Sequence, residues 1–191
     1  VAIGDLNGDG ALDLAVADLS SGAASVLLGA GDGTFAALQS YPAGDGPNSI
    51  TIADLDADGA SDLALTNGLV GTVAVLLGHG DGTFAAAQSF QAGAGPNSIA
   101  IEDLDGDGVL DLAVANSAFD DVSVLLGLGD GTFAAPLGFP SGGASNAIAA
   151  GDLDGDGVPD LAVANGSSND VAVLLGVGDG AFCPAPTYPA G

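Results

Sequence analysis

The sequence predicts an all-β fold made of four copies of one four-stranded sheet. Three observations carry that reading. A 49-residue unit recurs four times without insertion or deletion, so that Gly-Asp-Gly is centred on Asp32, Asp81, Asp130 and Asp179, and Val-Leu-Leu-Gly starts at Val26, Val75, Val124 and Val173. The apolar runs are short, rich in Val, Ile, Leu and Ala, and bounded by Gly, Asp and Asn, as strands and turns are. No window sustains a helical period. Repetition at a period of about 20–50 residues marks a solenoid, propeller or array whose units bury their faces against one another.

The second copy shows the elements in order. Residues 49–53 form a first strand with Ile50 and Ile52 on one face. An aspartate-rich loop follows, then a second strand over 62–66 and a third over 72–77. Residues 80–84, Gly-Asp-Gly-Thr-Phe, read as a tight turn whose glycines are free to take positive φ. Residues 85–91 form the fourth strand, and Gly95-Pro96-Asn97 punctuates the crossing to the next copy. Many strand positions are apolar on both faces, which fits sheets stacked between neighbours. Four-stranded units of this length match β-propeller blades. The chain reads as one repeat domain over 1–191, with blades at about 1–48, 49–97, 98–146 and 147–191. They form a four-bladed ring, part of a larger ring, or an open array. Phe35, Phe84, Phe133 and Phe182 fall in register and are expected in the core, as are Tyr41, Phe90, Phe139 and Tyr188.

Charge narrows the function classes. The chain carries 25 acidic residues, no Lys or Arg, and a formal charge of −25. Such a chain repels nucleic acid and anionic membrane surfaces and attracts divalent cations. At 48% hydrophobic residues it is too apolar to be disordered, and no apolar run approaches the ~18 residues of a membrane helix. The single cysteine, Cys183, forms no internal disulfide and is expected as a small buried apolar group. The single His79 lies beside a Gly-Asp-Gly turn and reads as a surface residue. No Ser-His-Asp or Cys-His set assembles across the repeats, so no enzyme is expected. Asn165-Gly166-Ser167 is a formal glycosylation sequon.

Fifteen of the 24 aspartates lie in four copies of Asp-x-(Asp/Asn)-x-Asp-Gly-x-x-Asp. Calcium takes about six to eight oxygens in flexible geometry, and a tight loop supplies them by alternation. Positions 1, 3, 5 and 9 offer side chains and position 7 its backbone carbonyl. The first loop offers Asp5, Asn7, Asp9, Asp13 and the carbonyl of Ala11; the second Asp54, Asp56, Asp58, Asp62 and Ala60. The third offers Asp103, Asp105, Asp107, Asp111 and Val109; the fourth Asp152, Asp154, Asp156, Asp160 and Val158. Gly at position 6 permits the turn that folds these groups inward. Position 12 is Val16, Leu65, Val114 or Val163 rather than Glu, so this is not an EF-hand. Clustered carboxylates repel unless a cation compensates them. One Ca²⁺ per loop, four in all, would bring the formal charge from −25 to −17.

The runs Asp-Leu-Asp-Gly-Asp-Gly-Val-Leu-Asp-Leu-Ala-Val-Ala-Asn (103–116), Val-Ser-Val-Leu-Leu-Gly (122–127) and Gly-Asp-Gly-Thr-Phe (129–133) resemble the FG-GAP repeat of the bacterial VCBS type. The resemblance covers essentially the whole chain. It implies β-propeller blades with a calcium loop between each blade's first and second strands. It also implies an extracellular or cell-surface setting, as in integrin α-subunit heads. Two features depart from the family: Ala or Val stands at loop position 7, where Lys is frequent, and four blades stand where seven are common. The expected function is an extracellular calcium-binding structural or adhesion module whose partners are further copies of the chain, in a fibre or surface layer. The alternatives are a lectin-like propeller that binds extracellular glycan or protein, and a non-catalytic domain of a secreted enzyme. The contact rim is expected at residues 19–24, 68–71, 117–121 and 166–170, where the repeats differ most and the off-register Phe119 lies.

Overall fold

The computed structural model describes residues 1–190, and among these it is all-β. The first blade comprises β1 (Ala2–Gly4), β2 (Asp13–Asp18), β3 (Ala23–Leu27) and β4 (Gln39–Pro42). The second comprises β5 (Pro47–Ala53), β6 (Asp62–Asn67), β7 (Thr72–Leu76) and β8 (Gln88–Gln91). β9 (Pro96–Glu102), β10 (Asp111–Asn116), β11 (Asp121–Leu125) and β12 (Leu137–Pro140) make the third. β13 (Ser145–Gly151), β14 (Asp160–Asn165), β15 (Asp170–Gly176) and β16 (Phe182–Pro189) make the fourth. Each blade is an antiparallel meander, its strands hydrogen-bonded in chain order.

Two boundaries differ from the sequence reading. The first strand of the second blade begins at Pro47, and Pro96 opens β9 rather than punctuating a loop. Proline, which lacks an N–H, is tolerated as the first residue of a strand, and a register shift between Pro47 and Ser49 absorbs the mismatch. The fourth strand begins at Gln88, not residue 85. Phe84 bridges back to Gly78 in isolation, and the chain leaves the ladder before rejoining it.

β6 and β10 are buried along their full lengths, as strands covered on both faces must be. Three apolar clusters fill the gaps between successive blades. One joins Leu6, Ala15, Ala24 and Val26 of the first blade to Leu63, Leu65, Leu76 and Phe84 of the second. The next joins Leu55, Ala64, Val73 and Val75 to Leu112, Val114, Leu125 and Phe133. The last joins Leu104, Ala113, Val122 and Val124 to Leu161, Val163, Leu174 and Phe182. Each gap also holds one edge-on aromatic pair, Tyr41–Phe84, Phe90–Phe133 or Phe139–Phe182, with ring centroids 5.3–5.4 Å apart.

The outer faces of the first and last blades have no such cover, so the chain forms an open row and not a closed four-bladed ring. Phe35 and Tyr188 are therefore exposed, unlike their counterparts in the row. Cys183 is exposed as well, on β16, the edge strand of the fourth sheet. Among the described residues no helix is long and apolar enough to cross a membrane.

Candidate metal centres

Each aspartate loop connects the first and second strands of its blade, and its last aspartate is the first residue of the second strand. The loop is shaped by its own side chains accepting backbone N–H groups, a habit of aspartate in turns. In the third loop Asp103 accepts from Gly106 at 2.8 Å and from Gly108 at 2.9 Å. Asp105 accepts from Asp107 at 3.1 Å, and Asp107 accepts from Val109 at 2.8 Å. The fourth loop repeats the pattern, with Asp152 bound to Gly155 and Gly157, Asp154 to Asp156, and Asp156 to Val158. In the second, Asp54 and Asp56 both accept from Asp58, Asp54 also from Gly59, and Asp58 from Ala60. The position-7 residues Ala11, Ala60, Val109 and Val158 thus all donate to the carboxylate at position 5.

Two loop positions need a left-handed backbone. Gly10, Gly59, Gly108 and Gly157 take φ between +83° and +89° at position 6. Position 4 takes the same conformation with Gly8, Gly106 and Gly155, but in the second loop the residue is Ala57, at φ +60°. That is a strained site for a residue with a Cβ.

Three loops bring three carboxylates within 4.8 Å of one another: Asp54, Asp56 and Asp58; Asp103, Asp105 and Asp111; Asp152, Asp154 and Asp160. Asp62, Asp107 and Asp156 are not members of these trios. In the first loop Asn7 interposes an amide, its Nδ2 donating to Asp9 at 3.1 Å and its Oδ1 accepting from the N–H of Asp9. Asp5 accepts from Asn7, Gly8 and Gly10. The Gly10 N–H above all, with those of Gly8, Asn7 and Asp9, holds the Asp5 carboxyl below its ordinary pKa. The donor set is all oxygen, borne by carboxylates and one amide. That chemistry suits a hard cation such as Ca²⁺ and is poor for zinc.

The ninth-position aspartates have a second task that their spacing alone did not disclose. Asp13, Asp62, Asp111 and Asp160 are fully buried. In each, Oδ2 accepts the N–H of the residue after the first loop aspartate (Leu6, Leu55, Leu104 or Leu153) at 2.7–2.8 Å. Oδ1 accepts the N–H of the glycine that ends Val-Leu-Leu-Gly (Gly29, Gly78, Gly127 or Gly176) at 2.7–2.8 Å. One carboxylate thereby clasps the loop to the exit of the third strand. A Cβ on any of these glycines would collide with the backbone carbonyl of loop residue Leu12, Ser61, Leu110 or Pro159. The recurrence of that glycine after each apolar run was the available signal. Burial raises the carboxyls of Asp62 and Asp111, and the neighbouring charges of Asp56 and Asp54, or of Asp105 and Asp107, push the same way.

The loops also touch the next blade. The Ser61 hydroxyl donates to the carbonyl of Asp5 at 3.1 Å, and the Gly82 N–H donates to the carbonyl of Leu6 at 3.1 Å. Asn165 of the sequon is buried and donates to Ser141 and Asp170, so it is not presented for glycosylation.

The profile described as FG-GAP-like repeat matches residues 5–65, 54–114 and 103–163. The chain belongs to the FG-GAP-like repeat family. No curated protein matches it. Among solved structures it is similar to an Agrocybe aegerita lectin that recognises non-reducing terminal N-acetylglucosamine. Identity is 25%, the TM-score is 0.64, and the match covers 97% of this chain and 50% of the lectin. It is also similar in fold to the periplasmic gluconolactonase of Pseudomonas aeruginosa (20% identity, TM-score 0.74, 99% of this chain and 53% of that one). A putative 6-phosphogluconolactonase from Bacteroides uniformis aligns at 17% identity and TM-score 0.71, over 98% of this chain and 56% of that one. The FG-GAP-like chain thus spans about half the length of these structures.

Proposed function

We propose that this chain is an extracellular calcium-binding module with a structural or adhesive role, in which each aspartate loop takes one Ca²⁺. The observation that carries this reading is the fourfold recurrence of one aspartate-rich loop between the first and second strands of a blade, with three carboxylates converging in three of the four copies. Without a cation, three carboxylates within 4.8 Å repel one another. Bound calcium would relieve that repulsion and tie each blade's first hairpin. Positions 1, 3 and 5 and the carbonyl at position 7 would hold the ion, with the ninth-position aspartate contributing while it keeps its clasp. Metal binding would then add to the folding free energy. The test is calorimetric titration of chelator-treated protein with Ca²⁺, and Mg²⁺ as control, beside melting curves in each. About four ions per chain and a higher melting temperature are expected. A flat titration with unchanged melting would end the proposal.

A second reading, glycan binding, draws on one feature. Phe119 is 72% exposed. With Leu69, Val70 and Gln91 it lines an open cavity of about 420 Å³ on the predicted rim. The likeness to a lectin points the same way. Loss of signal on a glycan array for Phe119→Ala, with calcium binding intact, would support it; an array blank for the unaltered chain would remove it.

A further inference from the structure

The three internal junctions are built alike, and the chain carries both halves of a fourth. At each junction the leucine after the first loop aspartate, Leu6, Leu55 or Leu104, is only 1–3% exposed beneath the next blade. The phenylalanine of that next blade, Phe84, Phe133 or Phe182, is 7–8% exposed and meets an aromatic ring of the blade before it. The last blade has the leucine and the ring, Leu153 and Tyr188, but they are 57% and 56% exposed. The first blade has the receiving side, where Phe35 is 42% and Ile3 64% exposed. The sheet interiors beside these residues, β2 and β15, are correspondingly less covered than β6 and β10.

We propose that these two faces dock on each other between copies of the chain, joining the fourth blade of one molecule to the first blade of the next. The occupant follows from continuity with the internal junctions. What covers Phe35 must present an apolar sheet face with a leucine and an aromatic ring at the positions of Leu6 and Tyr41, and the fourth blade has that face. The lectin and the gluconolactonase similar to this chain are about twice as long as the part it matches, so one further copy supplies the missing length. The join is head to tail, hence heterologous, and either closes into a ring or runs on. It does not depend on metal occupancy. Both copies are strongly acidic, so association strengthens as salt screens their repulsion over a distance of about 10 Å at 0.1 M.

The test is sedimentation velocity of the whole chain across a concentration series, at low and moderate salt. Dimers or a ladder of multimers, favoured by salt, are expected. Phe35→Asp blocks the receiving face and Leu153→Asp the donating face. Each should weaken self-association roughly a hundredfold or more, because a carboxylate would be buried among apolar groups. Both residues are exposed in the single chain, and unchanged circular dichroism and melting confirm that the variants fold. Mixing the two variants leaves one intact pair of faces, so a heterodimer and nothing larger should form. A chain that stays monomeric at every concentration and salt overturns the proposal, as would be found if further blades of a longer polypeptide cover these faces. Association that survives both substitutions, or a mixture that yields no heterodimer, overturns it as well.

Discussion

Replacing Asp62 separates the clasp from the metal site. Its two oxygens accept the buried N–H groups of Leu55 and Gly78, and Asp62→Ala leaves both without a partner. Each orphaned buried N–H costs about 1–3 kcal/mol. Removing the carboxylate also relieves the burial that raises its pKa, which places the net loss near the lower half of the sum, about 2–4 kcal/mol. For a domain of this length that lowers the melting temperature by roughly 4–16 °C. The measurement is urea and thermal unfolding in excess chelator, where no metal contributes. Asp58→Ala is the companion. Asp58 is exposed and accepts only the Ala60 N–H, so in chelator it should cost no more than about 0.5 kcal/mol. In calcium at about 100 times the dissociation constant the companion is no longer near neutral. Loss of the second site then costs Asp58→Ala up to about 2.7 kcal/mol. If Asp62→Ala is as stable as the unaltered chain in chelator, the clasp is not a stabilising element and the reasoning fails.

Three further outcomes can be checked. Gly78→Ala drives a Cβ into the Ser61 carbonyl and should destabilise by roughly 2–3 kcal/mol or more by denaturant unfolding, with or without calcium. Ala57→Gly relieves the φ of +60° and, after the added freedom of the unfolded chain, should stabilise by about 0.5–1 kcal/mol. The pH profile in chelator should have two limbs. Burial raises Asp62 and Asp111, so stability held back while they are ionised is gained as pH falls through their raised values. The Thr34, Thr83 and Thr132 hydroxyls, with the N–H groups of the same residues, hold Asp32, Asp81 and Asp130 below the ordinary value. Their contribution is present above that value and lost as pH falls through the lowered ones. A melting temperature that falls steadily from neutral pH into acid would contradict the first limb.

The repeat, the two-sided burial of strands such as β6, and the aspartate loops were legible because each follows from spacing and residue type. What escaped the sequence depends on neighbours. Phe35 and Phe84 occupy the same register position, yet only Phe84 has a blade in front of it. Cys183 looks like a core residue by type and is exposed by its place on an edge strand. The Asn165 sequon is formally intact, but the asparagine side chain is spent on a buried bond to the preceding blade. The clasp was half visible: an aspartate at a strand start and a glycine after an apolar run both recur, but nothing in the letters says that one receives the other's N–H across 16 residues.

Every bond of the aspartate clasp begins and ends inside its own unit, reaching 7 residues back and 16 forward. A gene segment of one period therefore encodes a hairpin that sets its own register before any neighbour arrives. Tandem duplication or loss of such a segment changes the length of the row without disturbing the folding instructions of what remains. What each copy must keep for its clasp to close is that aspartate and the glycine that donates its N–H to it.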